Sequence, residues 1–140
     1  MISRLPIIRG RDSQGAGYYG ASRGNRRHNG IDCCSNAGEE RILLPGDPVR
    51  AMNDGMVTKL GYPYADDLSY RYVQVTDAKG RDHRYFYVLP TVEIGDRVQQ
   101  GDMLGTLQEL TYEGIEQHYH FEVKYRGSFL DPVQVLAGDA

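Results

Sequence analysis

Four histidines are the residues of this sequence whose types and spacing point most directly to chemistry. His28 stands in the run HNGID, four residues before Asp32, and His118 and His120 flank Tyr119 in HYHFEV. Residues i and i+2 of a strand lie on one face, so the two later imidazoles are expected to point the same way. Imidazole nitrogens and carboxylate oxygens are ligands of zinc, with bonds of about 2.0–2.2 Å. The two motifs therefore predict a metal site.

A His–Asp pair and one distant histidine supply three protein ligands. They leave a fourth coordination position open, which is typical of catalytic rather than structural zinc. The alternative for His28 and Asp32 is an ion pair at helical (i, i+4) spacing, but Gly24 and Gly30 disfavour a helix here. The alternative for the HYHFEV motif is an exposed strand face. Each motif alone is weak evidence for a metal, and the two together favour one.

The fourth histidine and the two cysteines are expected to have other roles. His83 follows the Gly80 turn, and we expect it to be a solvated histidine at the end of a strand. Cys33 and Cys34 are adjacent, which excludes the disulfide framework of small secreted domains. We expect reduced thiols or one half of an intermolecular link. Cys34 shares strand parity with Asp32, although burial is the usual role of such a thiol.

The length and charge of the chain exclude several other kinds of function. A chain of 140 residues is expected to form one domain, residues 1–140, of which 1–16 form an N-terminal arm. A net charge of -3 differs from the basic balance of nucleic-acid-binding domains. No apolar run reaches the roughly 18 residues of a membrane-spanning helix. We therefore expect neither a nucleic-acid partner nor a membrane span.

The segments that must position the histidines are predicted to be short strands joined by tight turns. The run YRYVQVTDAKGRDHRYFYVL alternates apolar and polar residues on both sides of a Lys79-Gly80 turn, as a hairpin does. One short helix is predicted at 131–137, entered at Pro132. The 11 tyrosines exceed what a core needs, and some are expected to line a groove.

Two segments, PGDPVRAMNDGMV and IGDRVQQGDMLG, repeat one pattern of a Gly-Asp-x-Val turn followed by Asp-Gly or Gly-Asp and an apolar pair. The repeat predicts a turn-strand-turn unit that closes a compact sheet, and two ordinary surface turns are the alternative. Similar turns occur in lipoyl and biotinyl carrier domains, which present a modified lysine between apolar neighbours at a hairpin tip. No lysine between the two segments has that setting, which argues against a carrier.

The motifs HNGID, GDPVRAMNDGMV, VEIGDRVQQGDMLG, HYHFEV and DPVQVL resemble, in order and spacing, those of the lysostaphin/LytM-type zinc metalloendopeptidases. These enzymes cut the peptide cross-links of bacterial peptidoglycan. The resemblance covers roughly Gly17 to Leu136. It implies a mainly β fold: a compact antiparallel sheet or sandwich with long loops around a zinc groove and little helix.

The same resemblance implies roles for individual residues. His28, Asp32 and His120 are the implied zinc ligands, and His118 is the implied catalytic histidine near the metal. Tyr19 falls where the family often has a tyrosine that helps to hold the oxyanion.

One position departs from the family pattern. The family's second catalytic histidine precedes the VxxGDxV turn in a Tyr-x-His-Leu strand, and here the corresponding run RYFYVLP places Tyr87 at that position. A leukocyte cell-derived chemotaxin-like branch of the family also has a tyrosine there, binds zinc and has no known hydrolytic role. The runs GYYGASRGNRRHNGID and YEGIEQHYHFE resemble that branch more than lysostaphin.

The resemblance leaves two hypotheses for the function. The first is a zinc endopeptidase that acts on peptidoglycan peptides, with His118 as general base or oxyanion donor assisted by Tyr87 and Tyr19. The second is a zinc-binding, catalytically inactive module that recognises a peptidoglycan peptide or another peptide ligand. The N-terminus lacks a signal-peptide pattern. We therefore expect cytoplasmic synthesis and delivery to the periplasm or wall by a phage, a secretion system or lysis, unless a leader has been removed.

Overall fold

Short strands make up most of the regular structure, as the alternating sequence runs predict. The computed structural model describes residues 5–10, 16–22, 27–111 and 114–138, so the predicted arm 1–16 falls partly outside the described residues. The strands are β1 (Ile31–Cys33), β2 (Pro48–Arg50), β3 (Gly55–Gly61), β4 (Tyr72–Thr76), β5 (Asp82–Phe86), β6 (Val88–Pro90), β7 (Arg97–Val98), β8 (Met103–Leu107), β9 (Tyr119–Tyr125) and β10 (Ser128–Leu130).

One short helix, α1 (Pro132–Leu136), follows the last strand, as the sequence predicts. The Asp131 side chain caps it by accepting a hydrogen bond from the backbone N–H of Val133, and proline begins its first turn. Among the described residues, no helix is long and apolar enough to cross a membrane.

The strands form two antiparallel sheets. The larger sheet has seven strands in the order β1-β9-β5-β4-β3-β7, with β10 also paired to β9, and the smaller has the order β2-β8-β6. Side chains from both sheets join one buried apolar cluster, such as Tyr85 and Val73 of the larger sheet and Val49 and Leu104 of the smaller. The prediction of a mainly β, antiparallel fold with little helix is confirmed.

Strand β9 shows how the larger sheet separates its core from the candidate site. Tyr119, Phe121 and Val123 are fully buried in the apolar cluster. His120 and Glu122 alternate with them and therefore lie on the opposite face of the sheet. The same alternation in β1 puts Asp32 on that opposite face, between two core residues.

His83 lies in the core, and the prediction of a solvated histidine is wrong. Alternation along β5 turns it inward together with Tyr85, where it is fully buried and its ring stacks on Phe121 at a centroid distance of 5.8 Å. Its Nε2 donates to Asp77 at 2.8 Å, and its Nδ1 accepts from the Asn53 amide at 3.0 Å. Burial is tolerated because both ring nitrogens have polar partners inside the protein.

Both cysteines are free and buried, which confirms the expectation of reduced thiols. Burial raises the pKa of the Cys33 thiol well above its usual value, so the reactive thiolate is disfavoured. An intermolecular link requires an accessible sulfur, and Cys34 is only 1% exposed. That alternative does not fit this fold.

The two segments that repeat one turn pattern connect the sheets reciprocally. Each segment gives one strand to each sheet, because β2 pairs with β8 and β3 pairs with β7. The backbone N–H of Gly46 donates to the Leu107 carbonyl at 2.8 Å, and Gly95 donates to the Val57 carbonyl at the same distance. The repeat in the sequence is therefore a repeated structural unit, as predicted.

Residues 7–9 add a further chain beside β1. Ile8 forms an antiparallel bridge with Cys33, and the backbone N–H of Arg9 donates to the Asp32 carbonyl at 2.7 Å. This pairing brings Arg9 alongside Asp32 at the edge of the larger sheet.

Candidate metal centre

Strand pairing brings the two histidine motifs together although they are 88 residues apart in the chain. In the antiparallel pair of β1 and β9, Asp32 lies directly opposite His120. Opposed side chains on one face of a sheet are close enough to interact. His28 precedes β1, and its backbone N–H donates to the Ala21 carbonyl at 2.8 Å. His28, Asp32 and His120, called the donor cluster below, are all buried and near one another.

Three potential ligand atoms converge in the donor cluster. His28 Nε2 and His120 Nδ1 are 3.1 Å apart, and they lie 3.2 and 3.1 Å from Asp32 Oδ1. A tetrahedral zinc ion with bonds of about 2.0–2.1 Å separates its ligand atoms by about 3.3 Å. The spacing of the three atoms therefore fits an ion of that size.

The other ring nitrogen of each histidine in the donor cluster contacts an oxygen acceptor. His28 Nδ1 lies 3.0 Å from the backbone carbonyl of Tyr18, and His120 Nε2 lies 2.8 Å from a carboxylate oxygen of Glu122. Each of these nitrogens carries the proton that it donates, so in a neutral ring the nitrogen facing the cluster is an acceptor. Two lone pairs and a carboxylate oxygen then face one another, and a cation satisfies all three.

The pKa shifts in the cluster agree with a need for positive charge. Burial alone would raise the pKa of Asp32, but hydrogen bonds with His120 and His28 hold it well below its usual range. Burial alone would lower the pKa of His120, but its hydrogen bonds to Asp32 and Glu122 raise it to about 9. In the metal-free protein a proton on His120 supplies the positive charge, and a metal ion would replace that proton.

His118 lies beside the donor cluster. Its Nδ1 donates to the backbone carbonyl of Glu116 at 2.7 Å, and its Nε2 lies 3.7 Å from Asp32 Oδ1. Burial lowers the pKa of His118, and the charge of Asp32 offsets only part of this shift. The ring is therefore neutral at pH 7, with Nε2 available as a proton acceptor next to the cluster.

Tyr87 contacts His118 edge to face, with ring centroids 5.8 Å apart. It is the residue at which the chain leaves β5 in the larger sheet and enters β6 in the smaller one, and its φ is 69°. This left-handed conformation costs a residue with a side chain about 1–2 kcal/mol. The surrounding contacts hold Tyr87 there, at the margin of the candidate site.

Two further tyrosines pack against Tyr87. The Tyr64 hydroxyl lies 2.6 Å from the Tyr87 hydroxyl, and the Tyr70 ring meets the Tyr87 ring edge to face at 5.5 Å. Tyr70 also lines a cavity of about 410 Å³ together with Leu89 and Gln108. Three of the 11 tyrosines, Tyr64, Tyr70 and Tyr87, thus pack together next to His118 and are called the tyrosine wall below.

Tyr19 packs against the apolar core, whereas Tyr87 packs against His118. Tyr19 is half-buried and lies one residue after the Tyr18 carbonyl that contacts His28. The role of the Tyr19 hydroxyl in holding an oxyanion stays a prediction.

Sequence spacing alone misses two charged residues that contact the donor cluster. Glu122 accepts a hydrogen bond from His120. It follows His120 by two residues on β9, so strand alternation could have placed it on the same face. Arg9 donates to Asp32 Oδ2 from Nε at 3.1 Å and from Nη2 at 2.8 Å. No motif indicates Arg9, because this contact depends on how residues 7–9 pair with β1.

Gly30 permits the close approach of the chain before β1 to β9. A Cβ atom at this position would lie against the Phe121 carbonyl oxygen and 3.0 Å from both Glu122 Cβ and His120 Cε1. A side chain here would therefore displace the strand that carries His120.

Comparison with known proteins gives the family. The model of peptidase family M23 matches residues 26–132. The chain therefore belongs to peptidase family M23, and the predicted membership of the lysostaphin/LytM-type group is confirmed.

The relatives include both branches that the motifs resemble. Leukocyte cell-derived chemotaxin-2 of Mus musculus is 31% identical over 118 residues, which cover 82% of this chain and 72% of that protein. The antimicrobial peptidase lysostaphin from Staphylococcus simulans has a similar fold, with a TM-score of 0.67 at 19% identity. A zinc containing peptidase from Vibrio cholerae has a TM-score of 0.62 at 23% identity. The alignments cover 96% and 94% of this chain, but 56% and 39% of those two chains.

Proposed function

We propose that this chain is a zinc metalloendopeptidase that hydrolyses peptide cross-links of bacterial peptidoglycan. The observation that carries the proposal is the convergence of three ligand-type atoms beside a neutral histidine, His118. Membership of a peptidase family and a fold similar to that of an antimicrobial peptidase support the same class of reaction. The substrate would be reached through a phage, a secretion system, lysis or a separate leader.

The residues of the site suit distinct tasks in peptide hydrolysis. His28, Asp32 and His120 would hold zinc, which when bound activates water and polarises a carbonyl. His118 Nε2 is suited to accept a proton and return it to the leaving nitrogen. Tyr87 is suited to donate a hydrogen bond to the oxyanion, whereas a tyrosine hydroxyl is a weaker base than an imidazole at pH 7.

The tyrosine at position 87 sets the expected rate. One positioned general acid or base typically contributes about 10²–10⁴-fold to a rate. If Tyr87 takes the place of a second catalytic histidine, as the motif resemblance implies, we expect turnover that is slower by a factor of that order.

A second candidate function is a zinc-binding module that recognises a peptide without cleaving it. Two observations favour it: the 31% identity to a chemotaxin and the tyrosine next to His118. This module would use the same donor cluster and the tyrosine wall, so the two candidates differ in turnover and not in metal binding.

The test measures new amino groups released from purified peptidoglycan by the zinc-loaded protein, with and without a chelator. The peptidase is expected to release amino groups, and the chelator to stop the release. His118→Ala is expected to lower the rate by at least about 10²-fold while zinc stays bound at one ion per chain. Tyr87→Phe removes the hydroxyl proposed to donate to the oxyanion and is expected to slow the release. Tyr62→Phe is its matched control, because Tyr62 is exposed and contacts Arg71.

The results separate the two candidates. One zinc per chain without amino-group release from walls of several cross-link types would overturn the peptidase and leave the binding module. Turnover that depends on His118 would overturn the binding module. A chain that binds no zinc would overturn both.

A further inference from the structure

We propose that Arg9 is a positioning residue for Asp32 and that it couples the docking of residues 7–9 to metal binding. The inference rests on the metal site of the proposed function. Arg9 is only 3% exposed, and its side chain contacts a residue of the donor cluster.

The two oxygens of the Asp32 carboxylate have different partners. Oδ1 faces His28 and His120, at 3.2 and 3.1 Å. Oδ2 accepts two hydrogen bonds from Arg9, from Nε at 3.1 Å and from Nη2 at 2.8 Å. Two donors from one planar guanidinium fix the rotation of the carboxylate more firmly than a single donor would. Arg9 therefore directs one defined oxygen of Asp32 towards the two imidazoles.

The backbone of Arg9, like its side chain, contacts Asp32. The Arg9 N–H donates to the Asp32 carbonyl at 2.7 Å, and the Asp32 N–H donates to the Gly17 carbonyl at 2.8 Å. A Cβ atom at Gly17 would lie 2.7 Å from the Arg9 carbonyl oxygen and 3.1 Å from Asp32 Cβ. Three stretches of chain meet at the carboxylate proposed to bind the metal, so residues 7–9 cannot leave without breaking the hydrogen bonds from Arg9 to Asp32 Oδ2.

The positive charge of Arg9 would repel a bound cation, and two neighbouring carboxylates offset this repulsion. Asp32 accepts directly from Arg9, and Glu122 adds a second negative charge through its contact with His120. Residues that orient a metal ligand in this way typically account for about 10–100-fold in metal affinity. Orientation is therefore expected to outweigh the repulsion.

Coupling between docking and metal binding is reciprocal. If docked residues 7–9 raise the affinity for zinc, then zinc must stabilise the docked state by the same factor. The Arg9 amide reports on docking, because its N–H is bonded to the Asp32 carbonyl.

The first measurement is the zinc dissociation constant, determined by competition with a chromogenic chelator. Arg9→Met is expected to weaken zinc binding by about 10–100-fold. Arg9→Lys, which keeps the charge without the planar pair of donors, is expected to recover only part of that loss. Arg41→Met is the matched control, since Arg41 is exposed and pairs with Asp47, and it is expected to bind zinc like the unsubstituted chain. Circular dichroism of each metal-free variant verifies the fold.

The second measurement is hydrogen exchange of the Arg9 amide. Zinc is expected to slow this exchange in the unsubstituted chain, and less so in Arg9→Lys, which keeps the test available if Arg9→Met does not fold. Equal zinc affinity in the unsubstituted chain and the folded Arg9 variants would overturn the inference and leave the proposed function standing. So would exchange that is insensitive to zinc. No zinc binding by the unsubstituted chain would overturn both.

Discussion

Two clusters in the larger sheet pair a buried histidine with an aspartate, and they satisfy its ring nitrogens in different ways. The core histidine cluster (Asn53, Asp77 and His83) lies on the core side of β5. The donor cluster (His28, Asp32 and His120) lies on the opposite face, where β1 meets β9. Both have a carboxylate within 3.2 Å of an imidazole nitrogen.

The difference is which atoms face each other. In the core histidine cluster, the Asp77 carboxylate accepts from His83 at 2.8 Å and from Arg81 Nε at 2.7 Å, and Asn53 donates to the other ring nitrogen. The Asp77 carboxylate and His83 Nδ1 there each face a hydrogen-bond donor. In the donor cluster, the second nitrogen of each ring is already bonded outward, to Tyr18 or Glu122. The outer partners of the donor cluster thus leave its facing nitrogens as acceptors, which is the arrangement that a metal ion needs.

The pKa shifts of the two histidines follow from this difference. Burial lowers the pKa of His83, and the Asp77 carboxylate offsets only part of the shift. Burial also acts to lower the pKa of His120, but the carboxylates of Asp32 and Glu122 outweigh it and raise the pKa to about 9. One cluster holds a neutral ring, and the other requires a cation.

The largest expected effect comes from exchanging the aspartate of each cluster for asparagine. Structural zinc sites bind with about 10–16 kcal/mol shared among their ligands, so Asp32→Asn is expected to weaken zinc binding by at least about 100-fold. Asp77→Asn is the matched control and is expected to change zinc affinity by less than about threefold. Competitive zinc titration measures both. An equal loss in the two variants would mean that the clusters do not differ in metal binding.

Next in size is the effect of removing the core histidine. His83→Ala leaves a buried cavity and removes hydrogen-bond partners from Asp77 and Asn53, so the free energy of unfolding is expected to fall by about 2–4 kcal/mol. Zinc affinity is expected to stay within about threefold once the variant is folded. Urea unfolding of the metal-free protein measures the first, and zinc titration the second. Unchanged stability would contradict a structural role for this cluster.

A side chain at Gly30 is expected to separate the strands that bring the donor cluster together. The added Cβ of Gly30→Ala meets the Phe121 carbonyl, so we expect a loss of about 1–3 kcal/mol in unfolding free energy and weaker zinc binding. Gly10→Ala is the control, since a Cβ at Gly10 meets no atom of the described residues within 4 Å. Urea unfolding of the metal-free protein measures the loss of stability, and zinc titration measures the affinity. Equal zinc affinity in both variants would show that the approach at Gly30 is not needed.

The smallest expected effect is the change in zinc affinity for each unit of pH. Zinc must displace the proton from His120, so affinity is expected to rise about tenfold per pH unit up to about pH 9, which calorimetry in buffers of different ionisation enthalpy can measure. A constant affinity between pH 7 and pH 9 would contradict this.

The core histidine cluster makes the stability of the metal-free fold depend on pH. The pKa of His83 is lowered, so the stability that its neutral ring contributes is present above about pH 6.5 and is lost as the pH falls through the folded-state pKa. The pKa of Asp77, which burial would raise, is lowered to about 2 by its hydrogen bonds with His83 and Arg81, so its contribution is also lost in acid. Unfolding in urea at several pH values is expected to show this loss in the unsubstituted chain and a smaller one in His83→Ala.

Much of the fold and part of the site follow from local patterns. The strand alternation in HYHFEV predicts that His118 and His120 point to one side, and the turn repeat predicts the units that connect the sheets. Proline at position 132 predicts the start of the helix. The solvated role predicted for His83 is wrong, because a turn nearby does not reveal which face of β5 is buried.

The sequence by itself determines the donor types, the strand period and the family, because these depend on residue identity and short spacing. The tertiary structure decides the rest. The register of β1 against β9 puts Asp32 opposite His120, and the pairing of residues 7–9 with β1 brings Arg9 to the same carboxylate. Contacts 23 to 92 residues apart in the chain fix the direction of each lone pair. Such contacts arise from packing of the whole chain, and no local pattern specifies them.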